Sequence, residues 1–221
     1  MFQGNVATGG GGGISVEKNA IVQMFEVQAE NNIAFDPKKS DPKLCSCVPA
    51  EEDHISSGGF LHAIFAGPLV MRDTILKNNR ADNNGGAIQI GATAGVFHNV
   101  IFENNTAKYG SGGGLSATGS SEIHLLESTL TQNTAPKGSG GHVAVSFSKF
   151  IVHSFQSAMM WPFSPPTFPY DQNDGSAHAE GIQYAVNGST VMTGGVAKFG
   201  GSLAATGNLI KYVFSHCTTR Y

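Results

Sequence analysis

The residues able to do chemistry in this 221-residue chain are few and scattered. Arg72 adjoins Asp73, and Arg80 is near Asp82. Polysaccharide-cleaving enzymes place a pair of carboxylates about the scissile bond as acid and base, or as acid and nucleophile. Neither Arg–Asp pair is read as such a constellation, because neighbours on a strand point to opposite faces. Cys45-Ser46-Cys47 and Cys217 are the only thiols. A bridge across one residue is strained, and two thiols are too few for a metal site. They read as structural or incidental, with metal or redox chemistry as the other reading. The eight His show no metal-ligand spacing; His98 and His124 fall in comparable parts of successive repeats and read as ordinary strand residues. Gly9–Gly13 is followed by neither a helix nor a Lys-Ser/Thr pair, so it is no phosphate loop. Nucleophile elbows and HExxH are absent. What remains is a group of aromatics beside an acid: Trp161, Phe163, Phe168, Tyr170 and Asp171. Such a group suits a carbohydrate or peptide ligand, unless its rings pack back on the scaffold.

Positioning such residues is the task of a repeat. A large or uncharged residue, an Asn three places on and a small residue two further recur as Phe2/Asn5/Ala7, Ala29/Asn32/Ala34, Leu76/Asn79/Ala81, Phe102/Asn105/Ala107 and Leu130/Asn133/Ala135. Two weaker copies are Met192/Gly195/Ala197 and Phe214/Cys217/Thr219. After each of the first six comes a Gly pair and an apolar residue, with pairs read at Gly12-Gly13, Gly58-Gly59, Gly85-Gly86, Gly113-Gly114, Gly140-Gly141 and Gly200-Gly201. A repeat of this length is too short for helix pairs. Its pieces alternate with period two, as in Ile88-Gln89-Ile90 and Val143-Ala144-Val145, which marks short strands with one face inward.

These features predict an all-β chain, a right-handed parallel β-helix of about six to seven coils. Asn5, Asn32, Asn79, Asn105 and Asn133 are expected to stack as a hydrogen-bonded ladder, at positions whose backbone is left-handed, a conformation Asn tolerates. Gly195 would supply the same freedom. Phe2, Leu76, Phe102 and Leu130 are expected to stack inside. Three places before the motif stand Glu26, Asp73, Asn99 and Glu127. Stacked like charges repel, and a divalent cation such as Ca²⁺ or a basic ligand would relieve them; the reading taken is solvated strand-edge residues and no cofactor.

Gly85-Gly86-Ala87-Ile88, Phe2-Gln3-Gly4-Asn5 and Phe102-Glu103-Asn104-Asn105 resemble the paired GGAI and FxxN repeats of chlamydial polymorphic outer-membrane proteins. The resemblance covers most of the chain outside 35–57 and 146–184. It implies a cell-surface or secreted adhesin-like passenger and no catalytic residues.

One elongated domain over 1–221 is the expectation, with loop insertions near 35–57 and 146–184. The chain reads as a slice of a longer solenoid, open at both ends to self-association. A net charge of −3 argues against nucleic acid as a partner. No transmembrane helix and no signal peptide are visible. The functional expectation is a non-catalytic surface module that binds a glycan or a host-surface protein through its inserted loops. The alternative is a polysaccharide-acting enzyme, a pectate-lyase-like lyase or a glycoside hydrolase, suggested by fold analogy alone.

Overall fold

A computed structural model describes residues 1–37, 56–153, 191–193, 195–199, 201, 203–206 and 219–220. The described residues are nearly all strand and turn, arranged as three parallel sheets stacked in a solenoid. The first sheet contains Phe2–Gln3, Val22–Phe25, Gln28–Glu30, Leu69–Lys77, Ala94–Glu103, Glu122–Leu126, Thr129–Thr131, Lys149–His153, Val191–Thr193 and Thr219–Arg220. The second contains Val6–Ala7, Ile33–Ala34, Arg80–Ala81, Thr106–Ala107, Thr134–Ser139 and Val196–Phe199. The third contains Ile14–Glu17, Leu61–Ile64, Ile88–Gly91, Leu115–Thr118, Val143–Ser146 and Leu203–Thr206. Each strand pairs with its counterpart one repeat away, because a single coil cannot bury its own apolar face and only a neighbour can.

The register follows the sequence motif. Phe2 pairs with Ala29, Ala29 with Leu76, Leu76 with Phe102 and Phe102 with Leu130. Leu76, Phe102 and Leu130 are fully buried, and Phe2 packs against the same core. In the second sheet Ala34, Ala81 and Ala107 align, all buried. In the third, Ile88, Leu115 and Val143 align inward while Gln89, Ser116 and Ala144 alternate outward. Period-two burial on one face is what sets this register, since a one-residue slip would turn every apolar side chain outward.

The ladder positions are joined by side chains. Each amide oxygen accepts from the neighbouring coil's amide nitrogen and backbone N–H: Asn32 Oδ1 from Asn5, Asn79 Oδ1 from Asn32, Asn105 Oδ1 from Asn79 and Asn133 Oδ1 from Asn105. Asn79, Asn105 and Asn133 also donate inward to the Ala29, Leu76 and Phe102 carbonyls. The left-handed residue, however, is the one before: Gly4, Asn31, Asn78, Asn104 and Gln132 all have positive φ, and none of the ladder Asn does. The backbone must turn there so that the next side chain points inward. At the far end Gly195 lacks the amide. A Cβ on Gly195 would lie 3.0 Å from the imidazole of His142, whose Nδ1 is 3.0 Å from Asn133 Nδ2. His142 thus closes the ladder where the amide is missing.

The Gly pairing differs from the sequence reading by one place in two copies. Gly11, Gly58, Gly85, Gly112 and Gly140 carry the positive φ. Gly12, Gly59, Gly86, Gly113 and Gly141 pass so close to the next coil that a Cβ would strike a backbone carbonyl. Gly13 and Gly114 instead share a row with Phe60, Ala87 and His142, as the coil-to-coil hydrogen bonds show. That row tolerates side chains.

A second ladder, of hydroxyls, has no signature in the Asn motif. Thr93 Oγ1 accepts from Ala66 N, Ser121 Oγ from Thr93 N and Ser148 Oγ from Ser121 N. It fixes the corner between the third sheet and the first. Lys149–His153 pairs in register with Glu122–Leu126, so residues assigned to the 146–184 insertion are ordinary coil. The next described strand, Val191–Thr193, pairs with Thr129–Thr131.

Candidate functional site

The charged column Glu26, Asp73, Asn99 and Glu127 sits at a left-handed corner that divides the first sheet into two halves, with φ of 54°, 50°, 52° and 47°. These are corner residues and not strand-edge residues. Asn99 Nδ2 donates to Asp73 Oδ1 at 2.7 Å, and His98 Nε2 lies 3.4 Å from Glu127 Oε2. Among the described residues no group of three or more His, Cys, Asp or Glu is placed to hold a metal ion. Arg80 and Asp82, two residues apart, do meet at 3.4 Å, since i and i+2 share a strand face. His98 and His124 are not register partners: His98 aligns with Leu126, and His124 with Val96.

One polar cluster stands out on the outer face of the first sheet. Glu122 is only 4% exposed, with His124 Nε2 at 3.0 Å and Lys149 Nζ at 2.7 Å. Burial alone would raise the Glu122 pKa, but the hydrogen bonds from His124 and Lys149 outweigh it and hold the carboxyl below its ordinary value. A carboxylate so stabilised is a poor general acid at neutral pH, where a raised pKa is required. The cluster is an ion pair that binds two coils together.

The outer face of the third sheet is different. Between it and the turns that lead into it runs a cleft of roughly 280 Å³, with Ser116, Thr118, Ala144 and Ser146 on its floor and Asn84, Ser111 and Ser139 on one wall. Every polar group here is a hydroxyl or an amide. The wall is braced from coil to coil: Ser57 Oγ accepts from Asn84 N, Asn84 Oδ1 from Ser111 N, and Ser111 Oγ from Ser139 N. The chain just after 38–55 joins this same wall, for Asn83 N donates to Ser56 O and Gly58 N to Asn84 O.

Along the same outer row, Ser15, His62, Gln89 and Ser116 are register partners. His62 lies under the glycine run: a Cβ on Gly10 would be 2.5 Å from its ring, so Gly10 makes room for the imidazole. Burial lowers the His62 pKa despite the nearby Glu17 charge. The unfolded chain, whose imidazole titrates near 6.5, therefore takes up a proton before the folded one. Stability should fall as pH drops below about 6.5. In urea melts from pH 7.5 to 5, His62→Gln should flatten that fall; a slope identical to the parent's would refute the assignment.

The aromatic candidates Trp161, Phe163, Phe168, Tyr170 and Asp171 lie outside the described residues, as do Cys45, Cys47 and Cys217. The hydroxyl-lined cleft had no such visible signal. Its only trace in the sequence is the Ser and Thr at alternate positions of Leu115–Thr118 and Val143–Ser146.

Three segments match the family model described as the Chlamydia polymorphic membrane protein repeat, at residues 1–17, 73–91 and 99–118. The chain carries this repeat. Each internal match runs from the left-handed corner at Asp73 or Asn99, through the ladder Asn and the Gly pair, to the end of a third-sheet strand. In this chain the matched repeat is thus most of one coil. No curated protein and no solved structure gives a match. Among the described residues no helix is long and apolar enough to cross a membrane, which says nothing of a β-barrel.

Proposed function

We propose that this chain is a non-catalytic recognition module displayed at the cell surface, and that it binds a glycan or a host-surface protein through its inserted loops and the cleft beside the first of them. The reading takes the solenoid as one domain of about six to seven coils. It takes the coils as right-handed, the sense that parallel crossovers within one sheet adopt almost without exception. The observation that carries the function is the neutral cleft: its polar groups are hydroxyls and amides on a rigid parallel scaffold, suited to hydrogen-bonding a ligand and unsuited to proton transfer. Aromatic anchors supply contact area at low entropic cost, and the chain's one Trp lies in the second insertion.

The test uses the whole chain on a host-cell monolayer. Replacement of 154–190 by a Gly-Asn-Gly turn should abolish binding, and replacement of 38–55 by Asn-Gly should weaken it, with the β-rich circular dichroism spectrum intact in both. Undiminished binding by both variants would place recognition on the coils. The enzyme alternative, suggested by fold analogy, is tested at Glu122, His124 and Lys149, a cluster of titratable groups in contact. A reducing-sugar assay on uronate polymers and neutral glucans, with and without Ca²⁺, should show no turnover. Turnover that Glu122→Gln removes would make the protein an enzyme.

A further inference from the structure

Phe65 and Phe147 hold a backbone conformation that phenylalanine adopts poorly, and they hold it in solvent. Their φ values are 50° and 49°, and their side chains are 62% and 64% exposed. We propose that these two rings are stacking platforms for a neutral glycan that lies along the solenoid axis on the third-sheet cleft. The proposal rests on the surface-recognition reading above and adds to it a site and a ligand class.

The two rings occupy one row of corners, where the third sheet passes into the first. The same row holds Lys18 and Asn19, Ala92, and Gly119 and Ser120, all also at positive φ. Asn, Gly or a small residue is the inexpensive choice for such a turn, and a bulky aromatic is the costly one. Packing does not compensate, since both side chains face water. A strained residue that gains nothing from the fold points to a role outside it.

The spacing is that of an extended ligand. Phe65, Ala92, the Gly119-Ser120 turn and Phe147 are consecutive steps, linked by Phe65 N to Gly91 O, Ala92 N to Thr118 O and Ser120 N to Phe147 O. Three interstrand steps separate the rings by roughly 14 Å. Between them stand only small side chains. The row borders the cleft at its Phe147 end, where Ser146, on the floor, immediately precedes Phe147 and Thr118 precedes the Gly119-Ser120 turn; Phe65 lies two coils beyond, past Gly91 and Ile64.

A sugar ring presents an apolar C–H face and an edge of hydroxyls. The isolated aromatic faces match the first, and the hydroxyls and amides of the cleft match the second. None of the described residues lining the cleft is charged, which disfavours an anionic glycan. A protein partner would call for one continuous apolar patch, whereas these rings are separated by Ala92 and Ser120.

Titration calorimetry on the whole chain tests this with neutral hexasaccharides of β-1,4-glucose, β-1,3-glucose and β-1,4-N-acetylglucosamine. The variants are Phe65→Asn, Phe147→Asn and the double variant, because Asn accepts the left-handed backbone. At least one hexasaccharide should bind the parent. Each single variant should bind it at least tenfold more weakly, and the double variant not measurably, while the thermal midpoint stays level or rises. The matching disaccharide, too short to span both rings, should lose affinity in no more than one of the single variants. Undiminished hexasaccharide binding by the double variant overturns the proposal. So does a parent that binds no neutral hexasaccharide or that prefers an oligouronate. If the parent fails these titrations yet still binds the monolayer, this site falls and surface recognition stands.

Discussion

Gly86→Ala should unfold the solenoid or come close to it. The added methyl would meet the Gly113 carbonyl oxygen and lie 2.5 Å from the Thr106 backbone nitrogen. Neither atom belongs to a side chain that can swing away. The backbone on each side is tied coil to coil, by Thr106 N to Asn79 O, Gly86 N to Gly112 O and Gly113 N to Gly140 O. Interiors packed at crystal density cannot absorb such an overlap locally, so two coils must separate. The cost should reach about 4 kcal/mol or more, in the range reserved for specific structural failures. In a chain of this size that lowers the thermal midpoint by about 10 °C or more. Gly9→Ala is the control: a Cβ there meets nothing within 4 Å, and the change should stay within about 0.5 kcal/mol. Gly114→Ala is the sharper comparison. A Cβ there would lie 2.9 Å from the His142 carbonyl oxygen, a milder approach than at Gly86, and its row already holds Ala87, Phe60 and His142, so it should cost less than Gly86→Ala. Similar melting temperatures for Gly114→Ala and Gly86→Ala would discard the assignment of close approach to the row of Gly86.

Asn105→Ala should be nearly as damaging. Asn105 is fully buried and stands in the ladder between Asn79 and Asn133. Its Oδ1 accepts from both Asn79 N and Asn79 Nδ2, and its Nδ2 donates to Leu76 O and to Asn133 Oδ1. Alanine deletes all four bonds and strands at least two buried donors, at about 1–3 kcal/mol for each unsatisfied group. A loss of about 2–5 kcal/mol in urea unfolding follows. The adjacent Asn104 serves as comparison. It is exposed at φ 52° and makes one side-chain bond, to Asn78 Oδ1. Asn104→Gly should be close to neutral, and Asn104→Ala should cost about 1–2 kcal/mol from left-handed strain. If Asn105→Ala and Asn104→Gly melt at the same urea concentration, the buried ladder is not a source of stability.

Much of this fold is legible along the chain because a solenoid repeats its demands. Asn at 79, 105 and 133, with Leu, Phe and Leu three places before, is the imprint of one corner used three times. The left-handed residue was legible too, once assigned to the right place: Gly4, Asn31, Asn78 and Asn104 are residue types that tolerate it. The Gly register was ambiguous wherever three glycines follow one another, as at 11–13 and 112–114, since nothing local says which of them turns and which is crowded.

The sequence by itself determined the strands, the inward faces and the spacing of the coils, because burial with period two and a recurrent tight corner restrict residue types locally. Only the tertiary structure decided what the outer surface presents. Ser116 and Asn84 are distant in the chain and line one cleft because a coil folds the wall over the floor. Phe65 and Phe147 share a rim because the coils that carry them stack in line with the two between. His142 is interior because Gly195, beyond the second insertion, leaves it room. Contacts of this kind depend on which coil lies above which, and a side chain that answers to a neighbour in the next coil leaves no periodic mark on its own.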